Sequence, residues 1–388
     1  MLNIHSFPPL VIRGRSLLPI VQGGMGVGIS AHRLAGSVAR EGALGTIASI
    51  DLRHHHADLM EQTHKCRDHE VIDRVNLVAL DREIKAAHEI AQGKGMIAVN
   101  VMKAVRDYAN LVRQACQSGA DAIVMGAGLP LDLPELTSDF PKVGLIPILS
   151  DARGIGIVLK KWLRKGRNAD AIVIEHPAYA GGHLGACGVA GLRDERFDFE
   201  RVLRETRALF GELGLGKDAP QLIVAGGVDS HEKVRYWLTN GADAVQLGTA
   251  FAVTQEGDAH AEFKRVLAQA KPEDLVEFMS VAGLPARAVG TPWLTQYVRR
   301  EADLQSKAKA DPRRCTQRMD CLTQCGLRDG LGKIGQFCID LKLTSAVRGE
   351  VDKGLFFRGA GTLPFGEAIR SVAELIDYLL TGRMPVMA

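Results

Sequence analysis

The sequence predicts an α/β protein built on a TIM-type (β/α)8 barrel, and two observations carry that prediction. Eight short apolar runs recur up to about residue 250, each followed by a turn and then by a segment of helical periodicity. The last two runs end in loops of small residues, Ala225-Gly226-Gly227-Val228-Asp229-Ser230 and Gln246-Leu247-Gly248-Thr249-Ala250-Phe251. Barrels commonly hold a phosphate at that place, on backbone N–H groups and the start of a short helix. An open doubly wound sheet is the alternative, but no GxGxxG opens a first helix.

In chain order the runs are Leu18 to Gln22, Leu44 to Ser49, Ile97 to Val101, Ala122 to Gly126, Leu145 to Ser150, Ala171 to Glu175, Leu222 to Gly226 and Ala244 to Gly248. A weak internal echo introduces three of them: Gly119-Ala120-Asp121-Ala122, Asn168-Ala169-Asp170-Ala171 and Gly241-Ala242-Asp243-Ala244. In each, a glycine or asparagine ends the preceding helix, where the left-handed conformation costs it little. The first run leads into Gln22-Gly23-Gly24-Met25-Gly26, a loop open enough for a flat ring or a phosphate, with Ser30 placed to cap the helix Ala31 to Arg40. Between Asp51 and Gly95 lie His54, His55 and His56. Three histidines in succession cannot face one site on a helix, so they read as a solvated face rather than a metal site. Asn100 puts a polar group on an otherwise apolar run where barrels place ligands, or else caps a helix; Ser150 and Asp151 have the same two readings.

The sixth run continues into Glu175 to Gly185, EHPAYAGGHLG. Adjacent glycines let backbone amides approach a ligand, and His183 beside them titrates near neutrality and suits proton transfer. Alone, the stretch reads equally well as a glycine-rich surface turn. From Asp258 helical periodicity continues through Phe278, so residues 258–312 read as a helical lid. Arg287 and Arg299 within it could pair with an anionic substrate, although lone arginines are more often structural. The expected organisation is a barrel over 1–257, the lid over 258–312, a four-cysteine segment over 313–345, and a segment over 346–388 returning to the barrel.

Composition narrows the function classes. With 46% hydrophobic and 24% charged residues and a net charge of +3, the chain reads as an ordinary globular protein. No basic run interleaved with aromatics points to nucleic acid. There is no apolar span long enough for a membrane and no signal-peptide core at the N-terminus, so a cytoplasmic location is expected.

Taken together, PIVQGGMG, Asn100 in AVNVM, AGGHLG at 180–185, VAGGV at 224–228, GADAVQLGTAF at 241–251, VAGLPARAV, GLFFRGAG and SVAELIDYL resemble the nitronate monooxygenase family, which includes FMN-dependent enoyl-acyl-carrier-protein reductases. Only about 303–348 lies outside the pattern. The resemblance implies a barrel binding FMN without a covalent bond. Gly226, Gly227, Gly248 and Thr249 would hold the phosphate, and Gly24, Met25 and Asn100 would lie against the flavin, with Ser150 among the cofactor residues. Gly181, Gly182 and His183 would border ring and substrate, His183 being the acid or base. The lead EHPAY departs from the shorter glycine-containing lead of many relatives, which bears on the shape of the pocket.

Cys315, Cys321, Cys325 and Cys338 read C-x5-C-x3-C-x12-C. Thiolates converging from one short segment suit a 4Fe-4S cluster or zinc, and unliganded thiols are the third reading. The C-x3-C…x12-C part is similar to the cluster spacing of dienoyl-CoA and enoate reductases, whose first spacing, C-x2-C, differs. The expected function is FMN-dependent oxidation of alkyl nitronates with dioxygen. The alternative is NAD(P)H-dependent reduction of an enoyl thioester or quinone, with the nicotinamide docking transiently over the flavin. A non-catalytic barrel binding a phosphometabolite or flavin is the third possibility.

Overall fold

Eight parallel strands close on themselves in chain order: β1 (Ile20–Gln22), β2 (Leu44–Ala48), β3 (Met96–Met102), β4 (Ala122–Gly126), β5 (Gly144–Leu149), β6 (Ala171–Glu175), β7 (Gln221–Ala225) and β8 (Ala244–Leu247). The computed structural model describes residues 7–315 and 321–385; the extreme N-terminus read for a signal peptide and residues 316–320 of the cysteine segment lie outside the described residues. β6 pairs with β7 along its whole length, Gln221 opposite Ala171 through Ala225 opposite Glu175. β8 returns to β1 through Val245 opposite Ile20.

The β1–β2 contact rests on one register pair, Val21 with Leu44. Gln22 supplements it: its buried side-chain amide accepts from the Thr46 N–H at 2.8 Å and donates to the Thr46 carbonyl at 3.1 Å. That clamp fixes where the Gly23-Gly24 loop begins. The Ala-Asp-Ala echo has a similar structural meaning. The carboxylates of Asp121, Asp170 and Asp243 accept the backbone N–H groups of Ile97, Leu145 and Leu222, at 2.8, 2.8 and 2.7 Å. Each aspartate therefore ties the entry to its own strand to the start of the strand before it.

Apolar side chains fill the barrel interior, Val21, Met96, Val124, Ile146 and Val173 among them, and Leu10, Ile12 and Leu17 of an N-terminal hairpin close its lower end. A second core lies between the strands and the surrounding helices. The helix after β8 is only Thr249–Ala252. The helix Val372–Thr381 packs beside His32–Arg40 and His231–Thr239, with His231 Nδ1 3.0 Å from the Leu379 carbonyl oxygen.

Three local expectations are corrected. Residues 258–312 are not wholly helical: Leu275–Met279 and Pro285–Val289 form an antiparallel hairpin, to which Gly182–His183 adds a third strand. The alternation around Pro285 and the turn at Gly283 outweigh the helical periodicity there. Ser30 does not cap the first barrel helix; its hydroxyl accepts from the Met25 N–H at 2.9 Å, and the Asp258 carboxylate instead takes the N–H groups of Ala31, Arg33 and Leu34. His54, His55 and His56 are not a solvated face. A 3₁₀ turn sends them in separate directions, to Asp51 at 2.7 Å, the Gly28 carbonyl at 2.9 Å and Glu83 at 3.0 Å.

Candidate functional site

The loops at the C-terminal ends of all eight strands surround one cavity of about 710 Å³, within the range of small-molecule sites. Gly24, Met25, Asn100, Ser150, Gly181, Gly182, His183, Gly226, Gly227, Gly248 and Thr249 all line it. Of the four cysteines, Cys321 reaches it. Arg299 does not line it and lies exposed on the helix Pro292–Ser306.

Close packing explains several glycines on this rim. A Cβ on Gly24 would lie 2.4 Å from the Asn100 Cβ, so a side chain there would displace Asn100 from the cavity wall. A Cβ on Gly181 would lie 2.5 Å from both the Arg358 carbonyl carbon and the Gly359 nitrogen. The segment after Phe356 thus presses directly on the AGGH loop, and Gly359 N–H donates to Thr249 Oγ1 at 3.0 Å. Gly226 and Gly227 have φ of 110° and 72°, left-handed values that side chains disfavour.

His183 is held from two sides. Its backbone pairs with Ala286, and its ring meets Phe357 edge-on at 5.5 Å. Nε2 is sealed from solvent and has no hydrogen-bond partner. Burial pushes this imidazole down to about 4, so at neutral pH it is uncharged and able to accept a proton. Glu175, at the end of β6, also lines the cavity, and burial pushes its carboxyl up to about 7. One cavity thus holds a base that stays neutral and an acid that keeps its proton up to neutrality, a division of roles set by desolvation.

Arg287 does not face a substrate. It is 2% exposed, pairs with Glu277 at 2.7 Å and donates to the carbonyl oxygens of Ala180 and Pro177, bracing the loop that carries His183. Asp151 caps the helix after β5 through the Gly154 N–H at 2.7 Å, leaving Ser150 on the cavity.

Asp340 was not anticipated. It lines the cavity, 2% exposed, with ligand atoms of Asp51, His54 and Asp340 all within 4.8 Å of one another. Burial, reinforced by the Asp51 carboxylate, holds the Asp340 proton on well above the ordinary range. Burial opposes ionisation of Asp51 too, but the His54 hydrogen bond and the Arg53 guanidinium outweigh it. A separation of almost 290 residues leaves no sequence signal for that pair. Glu175 did carry one, as a charged residue ending an apolar run.

A model of the nitronate monooxygenase family matches residues 15–382. A Bacillus subtilis (strain 168) protein named "Probable nitronate monooxygenase" is 28% identical over 294 residues, 72% of this chain and 78% of its own. Among solved structures, FabK from Thermotoga maritima superimposes with a TM-score of 0.66 at 20% identity, over 93% of this chain and 91% of that one. Nitroalkane oxidase from Streptomyces ansochromogenes gives 0.61 at 18% identity, over 93% and 94%. At such identities these two likenesses concern the fold. Among the described residues no helix is long and apolar enough to cross a membrane.

Proposed function

The chain belongs to the nitronate monooxygenase family, and on that premise we propose that it is an FMN-dependent oxidoreductase that oxidises alkyl nitronates with dioxygen. The observation that carries the reading is His183 in the wall of a glycine-lined barrel mouth, with its buried Nε2 unpartnered. The residues present fit a flavin mononucleotide. The Gly226-Gly227 and Gly248-Thr249 loops offer backbone N–H groups to a phosphate, and Gly24, whose missing Cβ lets Asn100 pack against it, keeps Asn100 on the wall beside Met25 where a flat ring would lie. FMN when bound supplies the electron acceptance and the reactivity toward dioxygen that side chains lack.

The chain's own residues handle the proton and the geometry. His183, neutral at working pH, takes the proton α to the nitro group when the neutral nitroalkane is presented, leaving the nitronate that is then oxidised. Phe357 and the Ala286 pairing hold the ring in place while Arg287 fixes the loop beneath it. Leu184 and Ala180 keep that side of the cavity apolar.

A second reading has one observation in its favour. A carboxyl that keeps its proton to about 7 in the cavity, Glu175, suits protonation of the enolate of an enoyl thioester or the hydroquinone anion of a quinone once hydride from NAD(P)H has been delivered. The test of His183 applies to both readings. His183→Ala should purify with its FMN and lose about 10²- to 10⁴-fold in kcat on a neutral nitroalkane, or on the acceptor of the second reading; unchanged kcat removes the acid-base role.

A further inference from the structure

We propose that Cys315, Cys321, Cys325 and Cys338 are the thiolate ligands of an iron–sulfur cluster set in the wall of the cavity. The fold gathers them from one irregular segment. Cys321 is tied to the loop after β3, its carbonyl accepting from the Arg106 N–H at 3.2 Å, with Leu322 bridged to Val105 and the Thr323 N–H on the Ala104 carbonyl at 2.9 Å. Arg328 then draws the next turn onto this piece through the carbonyls of Leu322 at 2.9 Å and Thr323 at 3.2 Å. Its own carbonyl accepts from the Asp311 N–H at 3.0 Å, which brings in the turn ending at Cys315.

Cys338 arrives by a close backbone crossing. Gly326, next to Cys325, lies so near Gly335 that a Cβ would be 2.1 Å from the Gly335 carbonyl oxygen. The Gly326 and Gly335 N–H groups bond side by side to the Val281 and Ser280 carbonyls, at 2.9 and 3.0 Å. Cys338 follows as the residue preceding the helix Ile339–Val347. All four cysteines are half-buried. Burial pushes the Cys321 thiol well up, and Asp340, Cys338, Cys325 and Cys315 are all near enough to add to that shift. The backbone N–H groups of Arg328 and Leu327 act on the Cys325 sulfur in the opposite sense, as donors to cluster thiolates do.

The spacing favours a cluster over zinc. One tetrahedral zinc with bonds of about 2.3 Å draws its thiolates to about 3.8 Å from one another. Among the described residues, no three of these sulfurs share a 4.8 Å sphere of mutual contact, whereas Asp51, His54 and Asp340 do. A multi-iron centre holds its cysteines farther apart because each binds at the periphery of the cluster. Cys321 lines the cavity beside Leu322 and Ile339, so the cluster would border the site directly.

The experiment is anaerobic purification of the full chain, followed by assay of iron, acid-labile sulfide, zinc and flavin on the same sample. Iron and sulfide in equal amounts, two to four of each per chain, with a broad absorbance near about 400 nm that bleaches on reduction, are expected. Cys321→Ser and Cys338→Ser should lose iron and sulfide while Cys66→Ser keeps them. One zinc per chain, or neither metal, would overturn the proposal whatever the flavin content. Flavin without iron would leave the proposed function standing; iron without flavin would do the reverse.

Discussion

The low affinity of buried His183 for protons makes a sharp statement about the pH profile. An imidazole pushed down to about 4 remains about 90% neutral at pH 5, whereas one at the ordinary 6.5 would be about 3% neutral. The ratio of kcat/KM at pH 5 to that at pH 8 therefore differs about 30-fold between the two cases. The assay is initial-rate turnover of a neutral nitroalkane, the substrate whose α-proton His183 must take, from pH 4 to pH 9 with FMN bound. The free nitronate's absorbance is followed in parallel, so that deprotonation in solution is subtracted. The expected profile stays level down to about pH 5 and falls by half near pH 4. His183→Ala should abolish that limb along with most of the rate. A limb near 6.5 in the native enzyme would mean that His183 is solvated during turnover, and the desolvation argument would be refuted.

Three further outcomes follow from the geometry. Glu175 has its pKa raised from 4.5 to about 7, so its contribution to stability is fully present below about 4.5 and is lost as pH rises through about 7. Glu175→Gln removes that loss and should unfold later in urea by about 3 kcal/mol at pH 8, with no gain at pH 4; equal gains at both would show that the carboxyl is not the cause. Gly24→Ala puts a Cβ 2.4 Å from the Asn100 Cβ, costing about 1–3 kcal/mol and flavin retention on gel filtration, while Gly211→Ala, with nothing within 4 Å, should retain flavin. Arg287→Met leaves the Ala180 carbonyl without its guanidinium, while Glu277 keeps Arg193 at 2.8 Å, and should lower stability by about 1–3 kcal/mol in denaturant titration.

The barrel was legible because each strand announces itself locally: a short apolar run, a turn, then a helical period. Ala122–Gly126 and Ala171–Glu175 fall on their predicted limits for that reason. The rim glycines were legible through their position after strands rather than through any motif of their own. What escaped were contacts across long separations. Nothing near Arg287 announces that its guanidinium braces Ala180, about a hundred residues earlier, and nothing near Asp340 announces Asp51. The hairpin at 275–289 reads as helix because the apolar spacing through Phe278 also fits a helical period, although its two strands pair locally; only the third strand, Gly182–His183, comes from far along the chain. The histidines at 54–56 were misread because each one's partner lies on a different element.

The central claim is that the cavity holds FMN and oxidises nitronates through it. FMN-replete protein should consume dioxygen when given an alkyl nitronate and show no NAD(P)H oxidation with an enoyl thioester or quinone. Oxidation of NAD(P)H that depends on an enoyl thioester or quinone, without oxygen uptake on nitronate, would contradict it.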